Sequence, residues 1–89
     1  MKARYLEVIF RKGKPFAAYL YFPREPGVKS AKTDDFGSGL LVDYQMDGSP
    51  IGLEITAPTK VTLDQINAVL SPLNLPLLEA QDLTPLKAA

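Results

Sequence analysis

The stretch Leu40-Leu41-Val42-Asp43-Tyr44-Gln45-Met46-Asp47-Gly48-Ser49-Pro50-Ile51-Gly52-Leu53-Glu54-Ile55 decides the fold. Two runs of alternating apolar residues flank Asp47-Gly48, a dipeptide that favours a tight hairpin turn because glycine takes a positive φ at no steric cost. With those two residues at the turn centre, opposed positions sum to 95. Leu40 then faces Ile55, Val42 faces Leu53 and Tyr44 faces Ile51. The alternate face sets Leu41 against Glu54 and Asp43 against Gly52. Turn chemistry and apolar pattern select one register independently, the agreement between levels expected of a specified fold.

Upstream, Arg4 to Phe10 and Phe16 to Phe22 alternate in the same way around the loop Arg11-Lys12-Gly13-Lys14-Pro15. A three- or five-residue loop opposes positions summing to 26, pairing Leu6 with Leu20, Val8 with Ala18 and Phe10 with Phe16 on one face. Tyr5 with Tyr21, Glu7 with Tyr19 and Ile9 with Ala17 share the other, and a one-residue slip would mix the two sets. Pro23-Arg24-Glu25-Pro26-Gly27 ends the second strand, since proline removes ladder donors. Val28 to Phe36 predicts a third, polar strand and Gly37-Ser38-Gly39 a turn.

Beyond Thr62 the apolar period lengthens to three or four. Thr62-Leu63-Asp64-Gln65 reads as a capping box. Leu63, Ile66, Val69 and Leu70 form the stripe of a short helix that Ser71-Pro72 and Leu75-Pro76 break. A leucine-rich tail runs to Leu86, with Thr84-Pro85 as N-cap and first helical position. The expected fold is α+β in a single domain spanning residues 1–89. An antiparallel β-meander of four to five strands (4–57) leads into a short C-terminal helix and helical tail (62–86). One helix and tail cover one face of such a sheet, leaving Tyr5, Ile9, Ala17, Tyr19, Tyr21 and Leu41 on the other. Strands apolar on both sides imply cover on both. A second subunit is the expected cover, so these six residues are the candidate interface of a homo-oligomer, a dimer being favoured, or of another protein partner.

Composition narrows the chemistry. The 89 residues include no cysteine, which removes disulfides and thiolate metal sites and favours a cytoplasmic setting for so short a chain. Histidine is absent too, and with it the commonest general base and metal ligand. No apolar run nears the roughly 20 residues that span a bilayer, and Glu7, Arg11, Lys12 and Lys14 interrupt any signal-peptide pattern. Residues 1–32 hold eight Lys or Arg against two Asp or Glu, a net of +6, and residues 33–89 the reverse, −6. The plain reading is that the halves lie together and neutralise each other. A nucleic-acid site is the competing one: Arg11, Lys12 and Lys14 make a basic hairpin tip, and Tyr5, Tyr19 and Tyr21 offer rings for base stacking. Residues 11–15 contain no aromatic, and Ile9, Ala17 and Leu41 suit protein contact better.

Three catalytic or metal patterns give way to structural ones. Asp43-x-Gln45-x-Asp47-Gly48-x5-Glu54 has the spacing of an EF-hand calcium loop, but its flanks alternate as strands where that loop needs helices. Asp34-Asp35 point to opposite faces of a strand, and Asp43 with Glu54 reads as solvated strand polarity. Gly37-Ser38-Gly39 has no histidine to activate its serine. The expectation is a protein without catalytic residues, metal or cofactor.

The ordered set Asp43, Tyr44, Asp47, Gly48, Gly52, Leu53 and Glu54, with Ala18-Tyr19-Leu20-Tyr21 upstream, resembles the bacterial family catalogued as domain of unknown function 2283. The likeness spans roughly residues 4–57. This chain departs from it in the connection Pro23 to Gly27 and in the helical tail. The resemblance implies a small bacterial β-rich protein with no catalytic residues to carry over. Some relatives look like members of toxin–antitoxin-type gene pairs, which points towards protein binding and an antitoxin-like partner.

Overall fold

The protein is seen in a computed structural model that describes residues 4–24 and 27–87. Five strands, β1 (Tyr5–Arg11), β2 (Lys14–Tyr21), β3 (Lys32–Asp35), β4 (Leu40–Tyr44) and β5 (Pro50–Ile55), form one antiparallel sheet. The α+β arrangement is the expected one. Neighbours in sequence are neighbours in space within β1–β2 and within β3–β4–β5, and the two runs join through β2 and β5, giving the order β1-β2-β5-β4-β3. Ala18 pairs with Ile55 and Leu20 with Leu53 at that join. The reason lies in β5, whose Ile51, Gly52, Leu53 and Ile55 are all buried and therefore need a strand on either side. β2 ends and β3 begins at the turn end of the β4–β5 hairpin, with Tyr21 opposite Gly52 and Lys32 opposite Tyr44, so β3 runs along the far edge. There the ladder spans Lys32–Asp35, with Ala31 N–H and Phe36 N–H donating to Tyr44 O and Leu40 O at its two ends, so the third strand is shorter than the predicted Val28–Phe36.

Both hairpins hold the predicted register through their bodies and depart from it near their turns. In β1–β2 the pairs Leu6 with Leu20, Val8 with Ala18 and Ile9 with Ala17 are as expected. A bulge then intervenes, and Phe10 lies opposite Pro15 instead of Phe16. The five-residue loop contracts to the two-residue turn Lys12-Gly13, with both residues at positive φ (53° and 78°), the dihedral signature of a type I′ hairpin. In β4–β5, Leu40 with Ile55, Val42 with Leu53 and Asp43 with Gly52 stand as predicted, but Tyr44 meets Pro50 and not Ile51. The turn there is a three-residue loop, Met46-Asp47-Gly48. Gly48 N–H donates to Gln45 O at 2.9 Å, and Gln45 N–H donates to Ser49 O at 2.9 Å. Gly48 takes φ 90° and Asp47 does not have positive φ, so glycine follows a turn centred on Met46-Asp47. The type I′ geometry therefore sits at the first hairpin, not the second.

Helix α1 (Leu63–Leu70) begins at the predicted capping box: Gln65 N–H donates to Thr62 Oγ1 at 3.1 Å and Thr62 N–H to Gln65 Oε1 at 2.9 Å. Its Ile66, Val69 and Leu70 pack on the face of the sheet lined by Ala18, Leu20, Leu40, Val42, Leu53 and Ile55. The tail continues as 3-10 turns at Ser71–Leu73 and Ala80–Leu83 and a short α2 (Thr84–Lys87). Thr84 falls inside the last turn, and Glu79 caps the preceding one through a reciprocal pair with Asp82. Two side chains fasten this tail: the Asn67 amide donates to Leu78 O at 3.1 Å and accepts from Leu78 N–H at 2.8 Å, and the Arg4 guanidinium donates to Pro76 O. Leu78, Leu83 and Leu86 are thereby buried in the same core. Each fully buried leucine or isoleucine contributes roughly 1.5–3 kcal/mol.

Candidate functional site: the open face of the sheet

The helical layer covers one face only. By the observed registers the opposite face carries Tyr5, Glu7 and Ile9 of β1, Ala17, Tyr19 and Tyr21 of β2, Leu41 and Asp43 of β4, and Gly52 and Glu54 of β5. All six candidate interface residues lie there. They do not form a uniform patch. Tyr5 and Ile9, on the edge strand, are 48% and 53% exposed, while Ala17, Tyr19, Tyr21 and Leu41 are half-buried.

The centre of the face is held by polar contacts that sequence reasoning missed. Tyr19 Oη donates to Asp43 Oδ2 at 2.7 Å, although β5 lies between their strands. The ring crosses β5 at Gly52, where a Cβ would stand 2.1 Å from Tyr19 Oη. Thr33 Oγ1 donates to the other Asp43 oxygen, so this network runs from β3 across the sheet to β2. On the far side Tyr21 Oη donates to Glu7 Oε1 at 3.0 Å, and the Tyr21 ring stacks on Tyr5 with centroids 4.8 Å apart. Tyr19 meets Tyr21 edge-on at 4.7 Å, and the Arg24 guanidinium lies 5.0 Å from the Tyr21 centroid. Desolvation, then the Asp43 carboxylate, pushes the Tyr19 hydroxyl well above the usual tyrosine range. Tyr21 is raised first by its bond to Glu7. Both phenols are therefore hydrogen-bond donors that resist ionisation, unsuited to act as bases near neutral pH.

The acidic residues of the calcium-like spacing are spread along a hairpin. Both Asp43 oxygens accept hydroxyls. Asp47 accepts from Ser49 N–H at 2.8 Å, which holds its carboxyl below the usual range, and Glu54 lies opposite Leu41. Among the described residues no group of three or more Asp and Glu side chains is arranged to hold a metal. A cleft of about 390 Å³ lies at the end of the sheet between Pro23, Arg24, Val28 and Ser49, with Arg24 the charged residue among its described lining.

At the opposite corner stands the basic tip, with Arg11, Lys12 and Lys14 all exposed. The tip is not free of aromatics, as the sequence suggested. Phe16 is the residue left over at the bulge, and the Arg11 guanidinium reaches back to sit 4.7 Å from its ring centroid. Phe10 and Phe16 are 51% and 53% exposed. The two halves of the charge distribution do not cancel through contact at this tip; the ion pair seen among the described residues, Lys32 with Asp34 at 3.6 Å, lies within β3. No helix among the described residues is long and apolar enough to cross a membrane. Compared with protein-family models, curated proteins and solved structures, the chain matches none.

Proposed function

We propose that the protein is a non-catalytic interaction module that self-associates by burying the uncovered, tyrosine-bearing side of its sheet. The observation that carries this reading is the one-sided cover: every buried helical residue packs on the other face, and Tyr5 and Ile9 are left about half exposed. Aromatic residues with satisfied hydroxyls suit an interface because they bury apolar area without stranding a polar group. The resemblance of the Asp43–Glu54 pattern to a bacterial small-protein family, some of whose relatives look like members of paired genes, accords with protein binding.

Sedimentation of the purified chain at about 100 μM, well above the dissociation constants of specific assemblies, tests the reading. A dimer or larger species is expected, and Ile9→Glu should shift it towards monomer. Tyr19 is the wrong residue to probe, since a carboxylate there would face Asp43 and damage the fold itself. A monomer at that concentration refutes self-association.

A second reading has one specific observation behind it. Phe10 and Phe16 beside Arg11, Lys12 and Lys14 combine stacking surface with positive charge, the pairing that single-stranded nucleic acid requires. Binding of a labelled oligonucleotide that weakens steeply with salt, and is lost in Lys12→Glu/Lys14→Glu, would favour it; no binding at low salt rejects it.

A further inference from the structure

The two edges of the sheet are built differently. β3 is four residues long with Lys32, Asp34 and Asp35 among them, the short, charged form that resists further pairing. β1 is seven residues long with no proline and no lysine, and among the described residues no backbone hydrogen bond from a loop or the tail reaches it. The helical layer covers it only in part: Leu6 and Val8 pack against the core, and Leu6 shares a cleft with Leu78 and Asp82 of the tail. Ala18, Leu20, Leu53 and Ile55, on the same face in the next two strands, are at most 2% exposed, whereas Leu6 and Val8 of β1 remain partly open. Phe10, the next residue in that row, is 51% exposed. Side chains of β1 are thus unfinished on both faces at once, which packing onto one face leaves unresolved.

Resting on the self-association reading, we infer that β1 pairs antiparallel with β1 of a second copy, extending the sheet to ten strands, with Ile9 on the two-fold axis. Charge selects this register. Centring on Ile9 sets Glu7 directly opposite Arg11 of the second copy, twice by symmetry, on the tyrosine-bearing face. On the helix-covered face the same register lays Phe10 of each copy against Val8 of the other, closing the two exposures just described. Centring on Glu7 would oppose like charges, which is destabilising across strands. Centring on Val8 would leave Glu7 facing Ile9 with the second Glu7 on its diagonal. Lys12, opposite Leu6 in the chosen register, comes to the cleft that Leu6 shares with both Asp82 and Arg4, so this contact does not itself select the register.

Charge reversal tests the pairing. Glu7→Arg and Arg11→Glu should each weaken the dimer by about tenfold in dissociation constant, since two cross-strand ion pairs become two repulsions. The combined Glu7→Arg/Arg11→Glu variant should restore affinity to within about threefold of the wild type. Circular dichroism on all three checks that the monomer stays folded, because Glu7 also accepts the Tyr21 hydroxyl and Arg11 also covers Phe16. A dimer indifferent to the single reversals, or a double variant as weak as the singles, overturns the β1 pairing while leaving self-association standing. A wild-type monomer overturns both.

Discussion

Replacing Gly52 with alanine is the sharpest test of how the open face is built. The new Cβ would lie 2.1 Å from Tyr19 Oη and 2.3 Å from two ring carbons, well inside contact distance. The ring can swing clear, but only by giving up its bond to Asp43. A hydrogen bond to a charged acceptor contributes roughly 1.5–3 kcal/mol, and partial solvent access at this site places it at the lower end. Against that, alanine in place of glycine within a strand gains about 0.5–1 kcal/mol from reduced unfolded-state entropy. Gly52→Ala should therefore destabilise by roughly 1 kcal/mol. In a Tyr19→Ala background, with no ring to displace, the same substitution should be neutral or stabilising by about 0.5 kcal/mol. Denaturant unfolding of the four variants at one fixed concentration, which keeps self-association constant across the set, gives the coupling directly. Equal effects of Gly52→Ala in both backgrounds, within roughly 0.5 kcal/mol, would refute the crossing of Tyr19 over Gly52.

Three further outcomes follow from the turns and the phenols. Lys12 holds φ 53°, a left-handed conformation that asparagine tolerates better, so Lys12→Asn should raise stability by roughly 0.5–1 kcal/mol in thermal or denaturant unfolding. Gly48 is at φ 90° with nothing within 4 Å of a built Cβ, so Gly48→Val should cost at least about 1 kcal/mol from backbone strain alone; an unchanged midpoint would contradict the three-residue loop. Tyr19 has its hydroxyl raised above the value it takes in the unfolded chain, so the folded state keeps a proton that the unfolded state releases. Its contribution is complete below about pH 10, the unfolded tyrosine value, and is lost as pH rises beyond it. Unfolding midpoints measured from pH 8 to 11 should fall less steeply in Tyr19→Phe than in the wild type.

The bodies of both hairpins were legible because period two is unforgiving: moving Val42 or Leu20 by one position would carry a whole row of apolar side chains into water. The turns were not. A bulge near Phe10 and another near Tyr44 each absorb one residue where the strands run beyond the covered core, and alternation carries no information about such a place. Lys12-Gly13 was nevertheless a visible signal, an x-Gly pair, though a weaker one than Asp47-Gly48 because lysine is strained at its positive φ. The tyrosine-bearing face was readable from parity alone. The contact between Tyr19 and Asp43 was not, because it depends on β5 lying between β2 and β4, a long-range choice made by two-sided burial of Ile51, Gly52 and Leu53. The hairpin register placed Gly52 opposite Asp43, and only the order of strands turns it into the gap a ring passes through.

The contrast between the two margins of the sheet bears on how large any assembly can grow. A strand that accepts a copy of itself across a two-fold axis uses up that margin in both partners, and growth must then continue from the other side. There the chain offers four residues with Lys32, Asp34 and Asp35, a surface that resists further addition. Extension of the sheet on these terms stops at two copies. One margin left receptive and one made repellent separates a closed pair from an open-ended fibre, and reversing the charges of β3 into apolar residues would remove the stop.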